Sequence, residues 1–89
     1  MNVEITLRHL EHTPAIDEKI KSKLQKVAKR LGDDASFHWT AWVEGDQHYS
    51  SLQAKSKKHD YFVKAHTDDM YKTMDEVISK IENQIAHDH

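Results

Sequence analysis

The segment from 14 to 31, PAIDEKIKSKLQKVAKRL, carries a single apolar stripe, and this restricts the fold more than any other part of the chain. At about 100° per residue, Ile16, Ile20, Leu24, Val27, Ala28 and Leu31 fall on one helical face. Thr13 offers an N-cap oxygen, Pro14 takes the first helical position where its missing N–H costs nothing, and Gly32 can adopt the left-handed closing conformation. Lys29 and Arg30 suit the negative C-terminal end. A second stripe, Met70, Met74, Val77, Ile78, Ile81 and Ile85, follows Asp68 and Asp69, either of which can cap it, and runs almost to the last residue. Two helices that are each apolar on one side can share one face of a sheet and leave its other face open.

The sheet is legible in the remaining segments. Val3, Ile5 and Leu7 alternate with Asn2, Glu4, Thr6 and Arg8, and Phe37, Trp39, Ala41 and Val43 alternate with His38, Thr40 and Trp42. Glu44-Gly45-Asp46 ends the second strand, expected over 36–44, with turn chemistry. Residues 48–56 and 60–66 read as two weaker strands joined by a turn at Lys57, Lys58 and His59. The order is β-α-β-β-β-α. A right-handed crossover through the first helix makes strands one and two parallel neighbours, and strands two to four form an antiparallel meander. The fold class is therefore α+β: a two-layer β-α-β-β-β-α sandwich, a four-stranded sheet with both helices on one face and residues such as Trp42 and Phe62 on the other.

Eighty-nine residues make one domain, 1–89, with a modest core and no room for a deep substrate cavity. The chain contains no cysteine, which excludes disulfides, thiolate zinc sites and cysteine nucleophiles and fits a cytoplasmic protein. No apolar run approaches the ~20 residues of a membrane span, and the start MNVEITLRHL has no signal-peptide core. No internal repeat, linker or low-complexity tract interrupts the pattern.

Charge gives the strongest functional clue. The first helix holds six basic and two acidic side chains, whereas the rest of the chain holds seven basic and thirteen acidic ones, so the overall charge of −2 conceals a basic face. Lys19, Lys23, Lys26 and Arg30 form a continuous row beside the apolar stripe. Local potential, not net charge, determines where a polyanion docks, so this row suits a phosphate-rich partner. The same row also reads as an ordinary solvated face. By spacing, Met70, Tyr71 and Met74 read as core packing, as does Trp39, and Trp42 reads as a cover for the open sheet face.

Eight histidines raise the question of a metal site, but His9, His12, His38, His48, His59 and His66 lie on separate elements, without helical His-x-x-x-His spacing or a cysteine partner. Asp68, Asp69, Asp75 and Glu76 are accounted for by capping and by first-turn charge on the second helix. No nucleophile context, catalytic constellation or cofactor motif is present. The chain reads as a non-enzymatic protein with no metal, no cofactor and no small-molecule substrate.

EHTPAIDEKIKSKLQKV at 11–27 and DDMYKTMDEVISKIENQI at 68–85 resemble the corresponding helices of the ribosome hibernation-promoting factors, also called ribosome-associated inhibitor, protein Y or sigma-54 modulation proteins. The most specific parts are Thr13-Pro14-Ala15-Ile16 and Asp69-Met70-Tyr71, in the same order along the whole chain. The resemblance implies binding in the decoding region of the small ribosomal subunit, at mRNA and tRNA positions, silencing ribosomes in stationary phase or stress. It also implies contact with ribosomal RNA through Lys23, Lys26 and Lys80, with Lys29 matching some members. Asn83 and His87 stand where better-known short members carry arginine and lysine, and Lys57, Lys58 and His59 replace a usual glycine in the turn. An end after the second helix matches a short, monomeric factor without the extra C-terminal dimerisation domain. The expected RNA-binding set is Lys19, Lys23, Lys26, Lys29, Arg30, Lys80 and His87, with Lys57 and Lys58 as possible additions. The alternatives are a generic double-stranded RNA or DNA binding module and a protein-interaction domain without nucleic acid.

Overall fold

The computed structural model describes residues 1–88. Its elements are β1 (Asn2–Arg8), α1 (Pro14–Leu31), β2 (Ser36–Glu44), β3 (Gln47–Lys55), β4 (Asp60–Thr67) and α2 (Met70–His87). The sheet order is β1-β2-β3-β4, with β1 and β2 parallel and the other pairs antiparallel, as the crossover and meander reading requires.

Local chemistry sets the boundaries. The Thr13 hydroxyl accepts from the Ile16 N–H at 3.3 Å and Pro14 opens α1; Gly32 closes it at φ 109° and ψ 170°, a region essentially reserved for glycine but not the left-handed helical well expected. Gly45 and Asp46 alone join β2 to β3, whose register pairs Glu44 with Gln47. A positive φ of 59° at the first loop position is what a type II′ hairpin demands, and glycine supplies it. At the head of α2, Asp69 is the cap: one carboxylate oxygen accepts from the Tyr71 and Lys72 N–H groups at 2.8 and 3.1 Å. Thr67 and Thr73 share a 2.9 Å hydrogen bond beside it, and Thr73 also donates to the Asp69 carbonyl at 2.8 Å, so the one buried threonine is satisfied.

Alternation then sorts the side chains. Phe37, Trp39 and Ala41 of β2, Leu52 and Ala54 of β3, and Tyr61, Val63 and Ala65 of β4 form the sheet side of the core. Ile20, Leu24 and Val27 of α1 and Met70, Met74, Val77, Ile81 and Ile85 of α2 form the helix side. Val3, Ile5 and Leu7 of β1 are only partly covered. One expectation fails here: Tyr71 is 47% exposed. It lies one step around the helix from Met70 and Met74 and points outside the stripe.

Helix α2 also protects an edge of the sheet. The Lys80 ammonium donates to the Lys64 carbonyl at 2.7 Å and the Gln84 amide to the Phe62 carbonyl at 3.4 Å, satisfying acceptors on the outer side of β4 that would otherwise invite another strand.

Candidate nucleic-acid interface

The cationic row of α1 lies along the seam between the two helices. Lys19, Lys23, Lys26 and Arg30 occupy about 60° of its circumference at ~100° per residue. Lys23 and Arg30 reach across the seam, the first to Asp75 at 2.5 Å and the second to Glu82 at 3.9 Å. Both pairs advance by seven residues on each helix, so α1 and α2 run parallel with matched register. Lys19 and Lys26 are exposed and, among the described residues, form no ion pair. The row thus offers two free ammonium groups and two partly neutralised cations.

Asp75 is half of this arrangement. The Lys23 hydrogen bond holds its carboxyl below the usual carboxylate range, with a further coulombic pull from Lys23 and Lys19. First-turn charge, the role its position after Asp69 suggests, is not the one it plays. The first turn of α2 contains no acidic residue, and Asp75 sits farther along, facing α1. The heptad spacing of Asp75 and Glu82 against Lys23 and Arg30 was the available signal, but it becomes meaningful only when the helices are known to be parallel neighbours.

The row continues at its C-terminal end. Lys57 donates its backbone N–H to the Asp34 carboxylate at 2.7 Å, docking the β3–β4 turn against the loop after α1. A cavity of about 260 Å³ results, lined by Arg30, Asp34, Lys57, Lys58 and His59 among others. His59 also lies 3.9 Å from the Asp88 carboxylate, which places the end of α2 at the same end of the molecule. Lys57 and Lys58 are therefore brought beside Arg30, and exposed His87 lies nearby in sequence to Asp88.

Two expected contacts fall elsewhere, and a third borders the row. Lys80 projects from the flank of α2 that faces the β4 edge, opposite the flank carrying Asp75 and Glu82. By the same spacing His87 lies on the Lys80 flank. Lys29, about 60° around α1 from Lys26, borders the row on its solvent side and lines a cavity with Met1, Gln25 and Asp33. The two free lysines and the Arg30–Lys57–Lys58 cluster form one surface, bordered by Lys29 beside Lys26; Lys80 and His87 lie off it.

Among the described residues no group of three or more histidines, cysteines or carboxylates is placed to hold a metal ion, and no helix is long and apolar enough to cross a membrane.

A parallel pair of helices on one face of a β-α-β-β-β-α sheet, with a row of cations along α1, defines a class of small two-layer α+β domain. A family model described as Sigma 54 modulation protein / S30EA ribosomal protein matches residues 3–89, and the chain belongs to that family. Solved structures share the fold. A ribosomal subunit interface protein from Coxiella burnetii is 24% identical, with a TM-score of 0.84 over 98% of this chain and 96% of that one. The N-terminal domain of Thermus thermophilus Protein Y is 22% identical, with a TM-score of 0.90 over the whole of both chains. No curated protein matches the chain.

Proposed function

We propose that the chain binds the small ribosomal subunit in its decoding region and holds the ribosome inactive, acting in the cytoplasm as a monomeric, non-enzymatic regulator whose 1–89 span is one binding domain. Lys19 and Lys26, exposed and, among the described residues, free of ion pairs on a strongly basic helix, carry this reading. Family membership and the Arg30–Lys57–Lys58 cluster at the end of the same surface support it. Lysines act as point charges, so the contacts are chiefly with backbone phosphates of ribosomal RNA and carry little sequence information. Lys23 is held by Asp75 in the free protein, and that pair withholds it from phosphate contact. Lys29, Lys80 and His87 would serve at the margins, where RNA wraps around the helix layer.

Cosedimentation with purified small subunits tests the reading. Neutralising about four phosphates gives a log–log salt slope near −3, at roughly −0.7 to −0.9 per contact. Lys19→Glu with Lys26→Glu should abolish binding and translational inhibition while the fold stays intact, because exposed charges contribute little to stability. Equal competition by bulk double-stranded RNA would instead favour a generic nucleic-acid module. Salt-independent binding would overturn the electrostatic mechanism.

A further inference from the structure

The open face of the sheet carries a second surface that the helix row does not use. At its end near the β2–β3 hairpin, the strand register puts Arg8, Trp42, Tyr49 and His66 in one row across all four strands. Ring centroids of Trp42 and Tyr49 are 5.3 Å apart with planes 6° from parallel, and those of Tyr49 and His66 are 5.0 Å apart at 27°. These separations are close to the ~4.8 Å spacing of strands, so the three rings stand upright on the sheet and stack face to face.

The stack is held in place and positively flanked. The Trp42 indole N–H donates to the Glu44 carboxylate at 3.1 Å, which fixes the ring's orientation. The Lys64 ammonium lies 5.3 Å from the Trp42 ring centroid and 5.7 Å from that of Tyr49, within cation–π range. One face of Trp42 is covered by Tyr49; the other is turned toward β1. On that side a cavity of about 360 Å³ is lined by Arg8, His9, Trp42, Val43 and Glu44. Its volume lies within the ~300–1,000 Å³ of small-molecule sites. His9 turns the chain away from β1 at a φ of 60°, shaping the cavity rim.

We propose that this cavity binds an unpaired purine base of single-stranded RNA, stacked on the free face of Trp42 as a further ring of the Trp42–Tyr49 stack. The flat ring face sets the requirement for a planar ligand, and stacking is tolerant of base identity while favouring large rings. Arg8, one strand away, offers a planar guanidinium fork that suits the adjoining phosphate. Glu44, which also lines the cavity, repels a phosphate, so the strand enters with its backbone on the Arg8 side. The inference rests on RNA being the partner, as proposed above, and adds a base-reading contact on the opposite layer of the molecule from the lysine row.

The test uses the full chain, a seven-nucleotide adenylate RNA and a duplex of equal length. Trp39 is fully buried, so quenching of indole fluorescence by the single strand reports Trp42. The single strand should quench and the duplex should not. Trp42→Ala, which removes the indole reporter and is read by anisotropy of an end-labelled heptamer, should weaken heptamer binding by roughly 5- to 100-fold, with Trp42→Phe retaining part of it in the same measurement. Arg8→Gln should weaken binding and reduce the salt slope by about one contact. Lys19→Glu with Lys26→Glu should leave heptamer quenching in place. Absence of quenching in the wild type, or unchanged affinity in a folded Trp42→Ala or Trp42→Phe chain, overturns the base site without touching the ribosome reading. Conversely, Trp42-dependent heptamer binding with no cosedimentation on small subunits upholds the base site and removes the ribosome as its source of RNA.

Discussion

Replacing Asp75 by asparagine should make the protein bind small subunits more tightly, although it deletes an ion pair. In the free protein the Asp75 carboxylate holds the Lys23 ammonium at 2.5 Å, and the pair is asymmetric: Asp75 is 69% exposed and Lys23 23%. An exposed pair of this kind contributes about 0–1 kcal/mol to folding, so Asp75→Asn should change the melting temperature little. For a polyanion the pair is an obstacle, because a phosphate must compete with the carboxylate for Lys23 and is repelled by it. Asparagine keeps the shape, removes the charge and releases one cation. One extra phosphate contact steepens the log–log salt slope by about 0.7–0.9, which over a fourfold rise in salt is about a threefold larger loss of affinity. The assay is cosedimentation with small subunits from about 50 to 200 mM salt, alongside thermal melts of the free protein. Glu82→Gln should act in the same direction but more weakly, since Arg30 and Glu82 are 3.9 Å apart. Unchanged or weaker binding by a folded Asp75→Asn protein, with the wild-type salt slope, would refute the view that Lys23 faces the RNA.

Leu52→Ala removes a fully buried side chain at the centre of β3 and should cost about 2–5 kcal/mol, read as a lowered denaturation midpoint. Asp69→Ala leaves the Tyr71 and Lys72 N–H groups without their cap and should cost about 0.5–2 kcal/mol in the same measurement, whereas Asp68→Ala should cost much less. Burial, reinforced by the Asp88 carboxylate and opposed by Arg30, pushes the Tyr61 phenol above its ordinary value of 10.0. Its raised folded value means that its contribution to stability is intact below about pH 10 and is lost as pH rises through the folded pKa; Tyr61→Phe should flatten that alkaline loss in melts across pH 9 to 11.

The fold was readable because its signals are local or strictly periodic. Thr13, Pro14 and Gly32 mark the ends of α1 by backbone chemistry that needs no tertiary partner, and the structure uses each of them in that role. Gly45 does the same for the hairpin. The alternation around Trp39 identifies the buried face of β2 because a strand has only two faces. Strand ends were less sharp: β3 begins at Gln47 and ends at Lys55, and β4 extends to Thr67, each about a residue from expectation. Polar residues such as Gln47 and Thr67 give no hydrophobic signal there, and ladder pairing with a neighbour decides. Tyr71 differs from expectation because the 100° step from Met70 carries it outside the stripe that holds Met70 and Met74.

Charge was legible one helix at a time, and this is where the sequence stops short. The lysine row of α1 could be drawn from α1 alone, yet whether a given lysine is free depends on what α2 presents at the same height. Lys23 and Lys26 stand at the two edges of the row, about 60° apart on a helical wheel; the parallel register of α2 gives Asp75 to the first, which is nearer the apolar stripe, and leaves the second exposed and, among the described residues, without an ion pair. Lys80 shows the converse, since a basic residue on the second helix looks like an extension of the row until the sheet edge is seen to take its ammonium. The aromatic stack follows the same logic. Trp42, Tyr49 and His66 are far apart along the chain, and only the hairpin register fixed by the Gly45–Asp46 turn aligns them across adjacent strands. A one-residue slip in that turn would send Tyr49 to the buried face and dissolve the stack, so the open-face surface is a property of the pairing rather than of any strand read by itself.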